Sequence, residues 1–271
     1  MGYLLFLYRV KDMEVALQKL KRFNLIMGFF HFIQGVAMLF LATTVIQKIA
    51  AFQPVIVQNF LRFDEATRQL VLDGKELFTL PFGYLVASFL FLSALAHGII
   101  YLNSKTYFEG LKKGINVFRW FEYALSSSVM IVLIATLFGI TDIATLVVIF
   151  LVNAAMNLFG LDMELLNAGT EKKNVNWGPF IWGSLAGIAP WIAIYFYIFG
   201  TGNFDQTPWF AWAILFTYFF AFNAFPINMI LQYLRVGKWK DYLYGERVYI
   251  ILSLAAKSIL AWLVLFGAMQ P

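Results

Sequence analysis

The stretch at residues 249–266, YIILSLAAKSILAWLVLF, is apolar throughout except for two serines and Lys257. A helix crosses about 30 Å of hydrocarbon with about 20 such residues, so this segment reads as a membrane span. A primary amine at its centre is costly unless it is paired or neutralised, which marks Lys257 as a functional candidate. The rest of the chain agrees: 61% of its 271 residues are hydrophobic and 13% are charged, too few charges to clothe a soluble core of this size. The sequence therefore describes an integral membrane protein. Its lack of cysteine excludes a disulfide framework and a thiolate metal site, and no other metal site and no enzymatic activity are expected. The net charge of +5 is spread between apolar segments, as loop asymmetry rather than a nucleic-acid footprint.

Working outward, six further apolar stretches precede the first quoted one, so that seven spans fall near 23–47, 81–103, 116–138, 142–161, 178–200, 208–232 and 247–268. The opening MGYLLFLYRV is too short for a signal-peptide core and has Phe6 where a myristoylation motif wants Ser or Thr, so this segment is expected to be retained. Over about 10–22, Met13, Ala16, Leu17 and Leu20 recur at helical spacing opposite Lys11, Asp12, Lys19 and Lys21. This predicts either an amphipathic cytoplasmic helix on the membrane surface or an extension of the first span. Most Lys and Arg residues lie on the side of the N-terminus and the even-numbered loops, against only Lys48, Arg62, Arg68 and Lys75 on the other. The positive-inside rule puts the N-terminus in the cytoplasm and the C-terminus outside. The basic pairs Lys112–Lys113 and Lys172–Lys173 are read as topology signals before lipid contacts. In the extracellular loop at 48–80, RQLVLDGKELFTL predicts a β-hairpin turning at Asp73–Gly74. No internal repeat is visible, and residues 1–271 are expected to form a single domain.

Clearly inside the spans fall only four ionisable groups: His31, His97, Glu122 and Lys257. His31 lies nine residues after Arg22, His97 eight before Lys105, Glu122 nine after Lys113 and Lys257 ten after Arg247. At helical rise each sits about 12 to 15 Å from the same membrane face, which describes one site built from four helices. Ser93, Ser126 and Ser253 lie one turn from His97, Glu122 and Lys257, on the same helical faces. Asn153 and Asn223 are further polar groups in apolar surroundings, where helix-to-helix bonding is an equally good reading.

A lysine in an apolar pocket can become nucleophilic and condense with an aldehyde, and the imine, if protonated, needs an anion beside it. Glu122 is the carboxylate at that level, though a structural ion pair remains the alternative. Trp191, Trp212, Phe216, Tyr218, Phe219, Phe220 and Phe222 in spans five and six could wall a conjugated chain, or could be plain packing. Physics alone points to a retinal-type chromophore.

At these residues the chain resembles the heliorhodopsins, seven-helix retinal proteins with a membrane orientation reversed relative to other microbial rhodopsins. The likeness is carried by NVFRWFEYALSSSVMIVLIA in span three and GKWKDYLYGERVYIILSLAAKSILAW leading through span seven. It is extended by FNLIMGFFHFIQ, LSALAH, FLVNAAMNLFG and AGIAPWIA in spans one, two, four and five. The resemblance implies an all-α, seven-transmembrane-helix rhodopsin bundle with a short β-hairpin in the first extracellular loop. It implies retinal bound covalently to Lys257, Glu122 as counterion, His31 and His97 in a cytoplasmic-side polar cavity, and Ser93 and Ser253 near the linkage. Asn153, Met156, Trp191 and Phe222 match positions lining or neighbouring the retinal. It also implies a homodimer held partly through the first outer loop.

Ion-pumping microbial rhodopsins carry a second carboxylate four residues before the retinal lysine, where this chain has Ser253, and often a carboxylic donor where it has Leu133. The first expectation is a light-sensing photoreceptor: all-trans retinal isomerises, the proton leaves toward Glu122 and the histidines, and a slow photocycle presents an altered surface to an unknown cytoplasmic signalling partner. A light-gated or light-driven proton or ion conductor is the alternative. A secondary transporter with a coupled Lys257–Glu122 pair is a third, disfavoured by the lack of inverted repeats.

Overall fold

The computed structural model describes residues 2–45, 53–200, 202 and 209–269. Residues 46–52, the last two positions of the first expected span and the start of the expected outer loop with Lys48, lie outside the described residues, as do Met1, 201, 203–208, 270 and 271. Helix α1 (Gly2–Phe40) leads through a π-helical turn (Leu41–Val45) toward strands β1 (Val55–Asp64) and β2 (Gln69–Thr79). There follow α2 (Phe82–Leu102), α3 (Ser104–Lys112), α4 (Val117–Leu137), α5 (Ile143–Leu166), α6 (Gly178–Gly200), α7 (Trp209–Tyr233) and α8 (Tyr242–Met269). All but α3 are long and apolar enough to cross a membrane, giving seven spans and a multi-pass membrane protein. Helix α1 packs on α2 and α8, α4 on α2 and α5, α5 on α6, and α7 on α8.

Polarity is inverted relative to a soluble domain. Phe29, Ile33, Phe196 and Phe220 are more than half exposed, while His31, Ser93, Ser126 and Lys257 are buried. Water would penalise that outer surface, whereas hydrocarbon does not; bonds between helices must then come from packing and buried polar groups. In the half nearer the hairpin the core is apolar, with Phe89, Leu90, Ile131, Leu133, Ile134 and Leu260 fully enclosed. Smaller clusters around Leu17, Tyr107 and Leu111 and around Trp120, Met163 and Tyr249 fill the opposite end.

Of the two readings of residues 10–22, the structure shows the extension of the first span: they belong to α1, and Leu17 and Leu20 are covered by Tyr107, Leu111 and Ile250. Two expectations are corrected. Spans four and seven are longer than the apolar runs, since α5 continues to Leu166 and α8 begins at Tyr242. The hairpin does not turn at Asp73–Gly74, because these residues lie inside β2, opposite Phe60 and Asn59. The turn is at Glu65–Arg68, where Asp64 Oδ1 accepts the N–H of Ala66 at 2.9 Å and Arg68 takes φ 51°. Asp73 is held in the ladder by Arg62, whose Nε donates to its carboxylate at 2.7 Å. A longer ladder outweighs the local turn preference.

The hairpin is moored to the bundle through the α4–α5 connection. Val57 N–H donates to Thr141 O at 3.0 Å, and Asn59 N–H donates to Asp142 Oδ1 at 3.2 Å. Asp142 also caps α5, accepting the Thr145 N–H and hydroxyl at 2.9 Å each. The Thr145 N–H, and then that of Asn59, outweigh partial burial and hold the Asp142 carboxyl below its ordinary value.

Candidate functional site

Lys257 projects from α8 with 3% of its surface exposed. Its Nζ donates to Glu122 Oε1 at 2.9 Å and to Ser253 Oγ, one turn earlier, at 2.7 Å. The same Glu122 oxygen accepts the hydroxyls of Ser93 on α2 at 2.5 Å and Ser126 on α4 at 2.7 Å. Three helices therefore converge on one carboxylate, which is what a buried charge pair requires. Tyr123 closes the arrangement, its ring centroid 5.2 Å from Nζ.

The two histidines stack, with ring centroids 5.5 Å apart and planes at 18°. Their approach depends on Gly28, since a Cβ there would lie 2.8 Å from the Cβ of His97. His97 Nδ1 is 2.9 Å from Asn24 Oδ1, and the Asn24 amide nitrogen donates to Leu20 O and to Tyr107 Oη. With the amide so oriented, Nδ1 carries the hydrogen and Nε2 is left as the basic nitrogen. Neither ring nitrogen of His31 has a hydrogen-bond partner among the described residues. His97, Glu122 and Ser253 line one small cavity, so the four ionisable groups foreseen at one depth do gather, as a hydrogen-bonded Lys–Glu–Ser group beside a stacked histidine pair.

On the other side of Lys257 opens a cavity of about 340 Å³ between α4, α5, α6 and α7. Lys257, Ser253 and Ala256 form one wall; Met156, Trp191 and Phe222 also line the cavity, joined by Phe219 and Phe225. Trp191 meets Phe219 and Phe222 edge to face at 5.6 and 5.7 Å. Glycines set its width, because a Cβ on Gly187 would lie 2.6 Å from Met156 Sδ and one on Gly160 would press on Trp120. Gly183 and Gly187 thus serve packing of α6 on α5. Asn153 stands behind the wall, its amide donating to Ser127 and Ser128 at 2.8 and 3.0 Å. Asn223 lines the cavity and donates to Phe219 O at 2.7 Å. Phe216 and Phe220 are instead exposed, Trp212 lies off the cavity lining, and Tyr218 is buried in the hairpin-side core.

Sequence reading missed a second buried charge group. Arg119 on α4 forms ion pairs with Glu164 on α5 and Glu246 on α8, and all three are at most 5% exposed. The Trp120 indole N–H donates to Glu164 at 2.8 Å, and the Asn116 amide to Glu246 at 2.6 Å. Both carboxylates fell just beyond the expected span limits. The signals that place them are Met163, Leu165 and Leu166, which continue the α5 apolar pattern, and Tyr242, Leu243 and Tyr249, which flank Glu246.

Seven membrane-length helices around a lysine–carboxylate pair, opening into an aromatic cavity of small-molecule size, give the architecture of the seven-helix retinal proteins. The chain belongs to the heliorhodopsin family, whose sequence model matches residues 20–269. Membership makes it a retinal-binding rhodopsin photoreceptor rather than a member of a classical enzyme family. No protein of curated function matches the chain. The residues present fit the chromophore that the family implies: a buried primary amine borders the cavity, the walls are aromatic, and an anion stands at the amine.

Proposed function

We propose that the protein senses light through all-trans retinal joined covalently to Lys257, with Glu122 as counterion, and signals through a slow photocycle without pumping ions. The observation that carries this reading is the position of Lys257 Nζ, bordering the aromatic cavity and 2.9 Å from Glu122. Bound there, retinal supplies visible absorption and a light-driven double-bond isomerisation. Glu122 holds the positive charge at the Lys257 nitrogen, Ser93 and Ser126 fix the carboxylate, and Ser253 accepts from the nitrogen without adding a second anion. Met156, Trp191 and Phe222 confine the polyene, and Asn153 acts through the serines behind it. His31 and His97 stack on one another next to this group.

The asymmetry of the buried polar groups supports the absence of pumping. Among the described residues, the single buried ionisable side chain in the hairpin half is Tyr218, and Leu133 and Ile134 fill the region along α4. A proton relay across the bilayer needs ionisable groups in both halves. The Lys and Arg distribution supports a cytoplasmic N-terminus and an extracellular hairpin and C-terminus, and the lack of a visible internal repeat supports one domain over residues 1–271.

A homodimer through the hairpin is supported by its surface. Leu61 pairs with Leu72 and Phe63 with Leu70, and these four side chains share one face with 56–76% exposure. An apolar strand face of this kind needs a cover, and a second copy presents the matching one. The signalling partner is then read from the opposite, cytoplasmic end. Voltage-clamp recording under illumination tests the sensor reading: no sustained photocurrent is expected at any potential, and a light-dependent current would establish the conductor instead.

A further inference from the structure

The Arg119 cluster has no part in the proposed function above, yet its charge does not balance. Two carboxylates face one guanidinium, and Arg119 is the one cation bonded to either of them among the described residues. The other contacts are neutral donors: the Asn116 N–H and Trp120 indole to Glu164 at 2.8 Å each, Tyr242 Oη to Glu164 at 3.2 Å, and the Asn116 amide to Glu246. Tyr107, Tyr233 and Tyr249 bring further hydroxyls near and no cation. With both glutamates ionised the cluster holds one uncompensated negative charge, which a protein interior strongly disfavours. One added proton makes it neutral.

The cluster also has a route to the Lys257 site. Arg119 precedes Glu122 by three residues and so lies on the same face of α4. Between them is a cavity of about 30 Å³ lined by Asn24, His97, Asn116, Arg119, Glu122 and Ser253. At roughly 10 to 15 Å³ for each water-sized probe, this admits about two waters, and the polar lining offers each of them partners. A polar cavity of that size thus reaches from Glu122 and Ser253 to Asn116 and Arg119, which are bonded directly to Glu164 and Glu246, on the side away from the apolar half.

We propose that the Arg119–Glu164–Glu246 cluster is the acceptor of the proton released at Lys257. The proposal rests on the photoreceptor reading. The N–H bond at the Lys257 nitrogen breaks and leaves its electron pair on nitrogen; an O–H bond forms on Glu164 or Glu246, and no electrons change hands. Charge is conserved, because the Lys257–Glu122 pair passes from neutral to one negative charge while the cluster passes from one negative charge to neutral. Glu122 then lacks its partner while Arg119 has lost one of two carboxylates that tie α4 to α5 and α8. The clamp between these helices loosens at the end of the bundle opposite the hairpin, so the proton transfer itself alters that surface.

Light-minus-dark infrared spectroscopy on the full-length, retinal-loaded protein tests this, using ¹³C-glutamate or ¹³C-aspartate labelling of wild type, E164D, E246D and E122D. These variants keep every charge. The expected result is a gain of protonated-carboxyl absorption in step with loss of the visible band, carrying the glutamate label in wild type and E122D and moving to the aspartate label in E164D or E246D. In the retinal-free protein, acidification should protonate a buried carboxyl that changes label in that same variant. A gain that changes label only in E122D, one that keeps the glutamate label in both cluster variants, or visible-band loss with no carboxyl gain overturns the proposal. A retinal-loaded protein with no visible band or no light response defeats the photoreceptor reading instead.

Discussion

Gly160→Ala perturbs the protein where Trp120 of α4 packs against Gly160 of α5 beside the cavity. A Cβ on Gly160 would lie 2.5 Å from Trp120 Cη2 and 2.7 Å from Cε3, with Cζ3 nearer still. The indole has little freedom to yield. Its N–H is bonded to Glu164, Tyr123 and Tyr249 meet it edge to face at 6.2 and 6.0 Å, and the Arg119 guanidinium covers it at 4.6 Å. Overpacking costs about 1 to 3 kcal/mol, and disturbing a hydrogen bond to a carboxylate adds up to about 1.5 to 3 kcal/mol. Taking about 3 kcal/mol, and about 2 to 4 °C per kcal/mol for a domain of this size, the melting midpoint should fall by about 6 to 12 °C. Thermal melting in detergent measures the drop, and retinal uptake should slow as Trp120 is pushed into the cavity. Trp120→Phe removes the obstructing ring atoms, so the alanine penalty should shrink by at least about 1 kcal/mol in that background. A Gly160→Ala protein as stable as wild type, or a penalty unchanged by Trp120→Phe, would refute the argument.

Three further outcomes are expected. Asp142→Ala removes the α5 cap and the Asn59 contact, for about 1 kcal/mol, and should speed hydrogen exchange at the Asn59 and Thr145 amides. Because the folded carboxyl titrates below the ordinary value of 3.8, its contribution is complete above that value and is lost as the pH falls through the lower folded value; exchange at those amides that ignores both the substitution and acid would show that the mooring lies elsewhere. Leu72→Glu places a charge on the exposed hairpin face and should convert a dimer to a monomer in light scattering, an unchanged mass removing that face from the interface. Glu122→Gln keeps an acceptor for Ser93 but removes the anion, so the visible band should shift or give way to an ultraviolet one; an unaltered spectrum would take Glu122 out of the counterion role.

The depth count over His31, His97, Glu122 and Lys257 succeeded because regular helices convert residue number into height, and the cost of charge in hydrocarbon makes isolated ionisable groups conspicuous. The same reasoning hid Glu164 and Glu246. Apolar runs end where polar residues begin, but helices continue past them when those residues find partners inside the bundle. Gly245, next to Glu246, is a close-approach site within α8, since a Cβ there would lie 2.8 Å from the Gln232 side chain. Asp73–Gly74 misled for a related reason: local turn preference was outweighed by a ladder running from Val55–Thr79 to Asp64–Gln69. Among the aromatics, Trp191 and Phe222 reach the cavity while Phe216 and Phe220 face outward, a choice set by the rotation of α6 and α7 that composition does not encode.

The proposed photoreceptor depends first on Lys257 as the residue that carries the chromophore. Adding all-trans retinal to the purified retinal-free protein should produce a visible absorption band, and after reduction of the linkage the peptide containing Lys257 should gain the mass of one retinyl group. Lys257→Ala should show neither change. A visible band of equal strength in that variant, or a retinyl mass on a different peptide, would contradict the assignment.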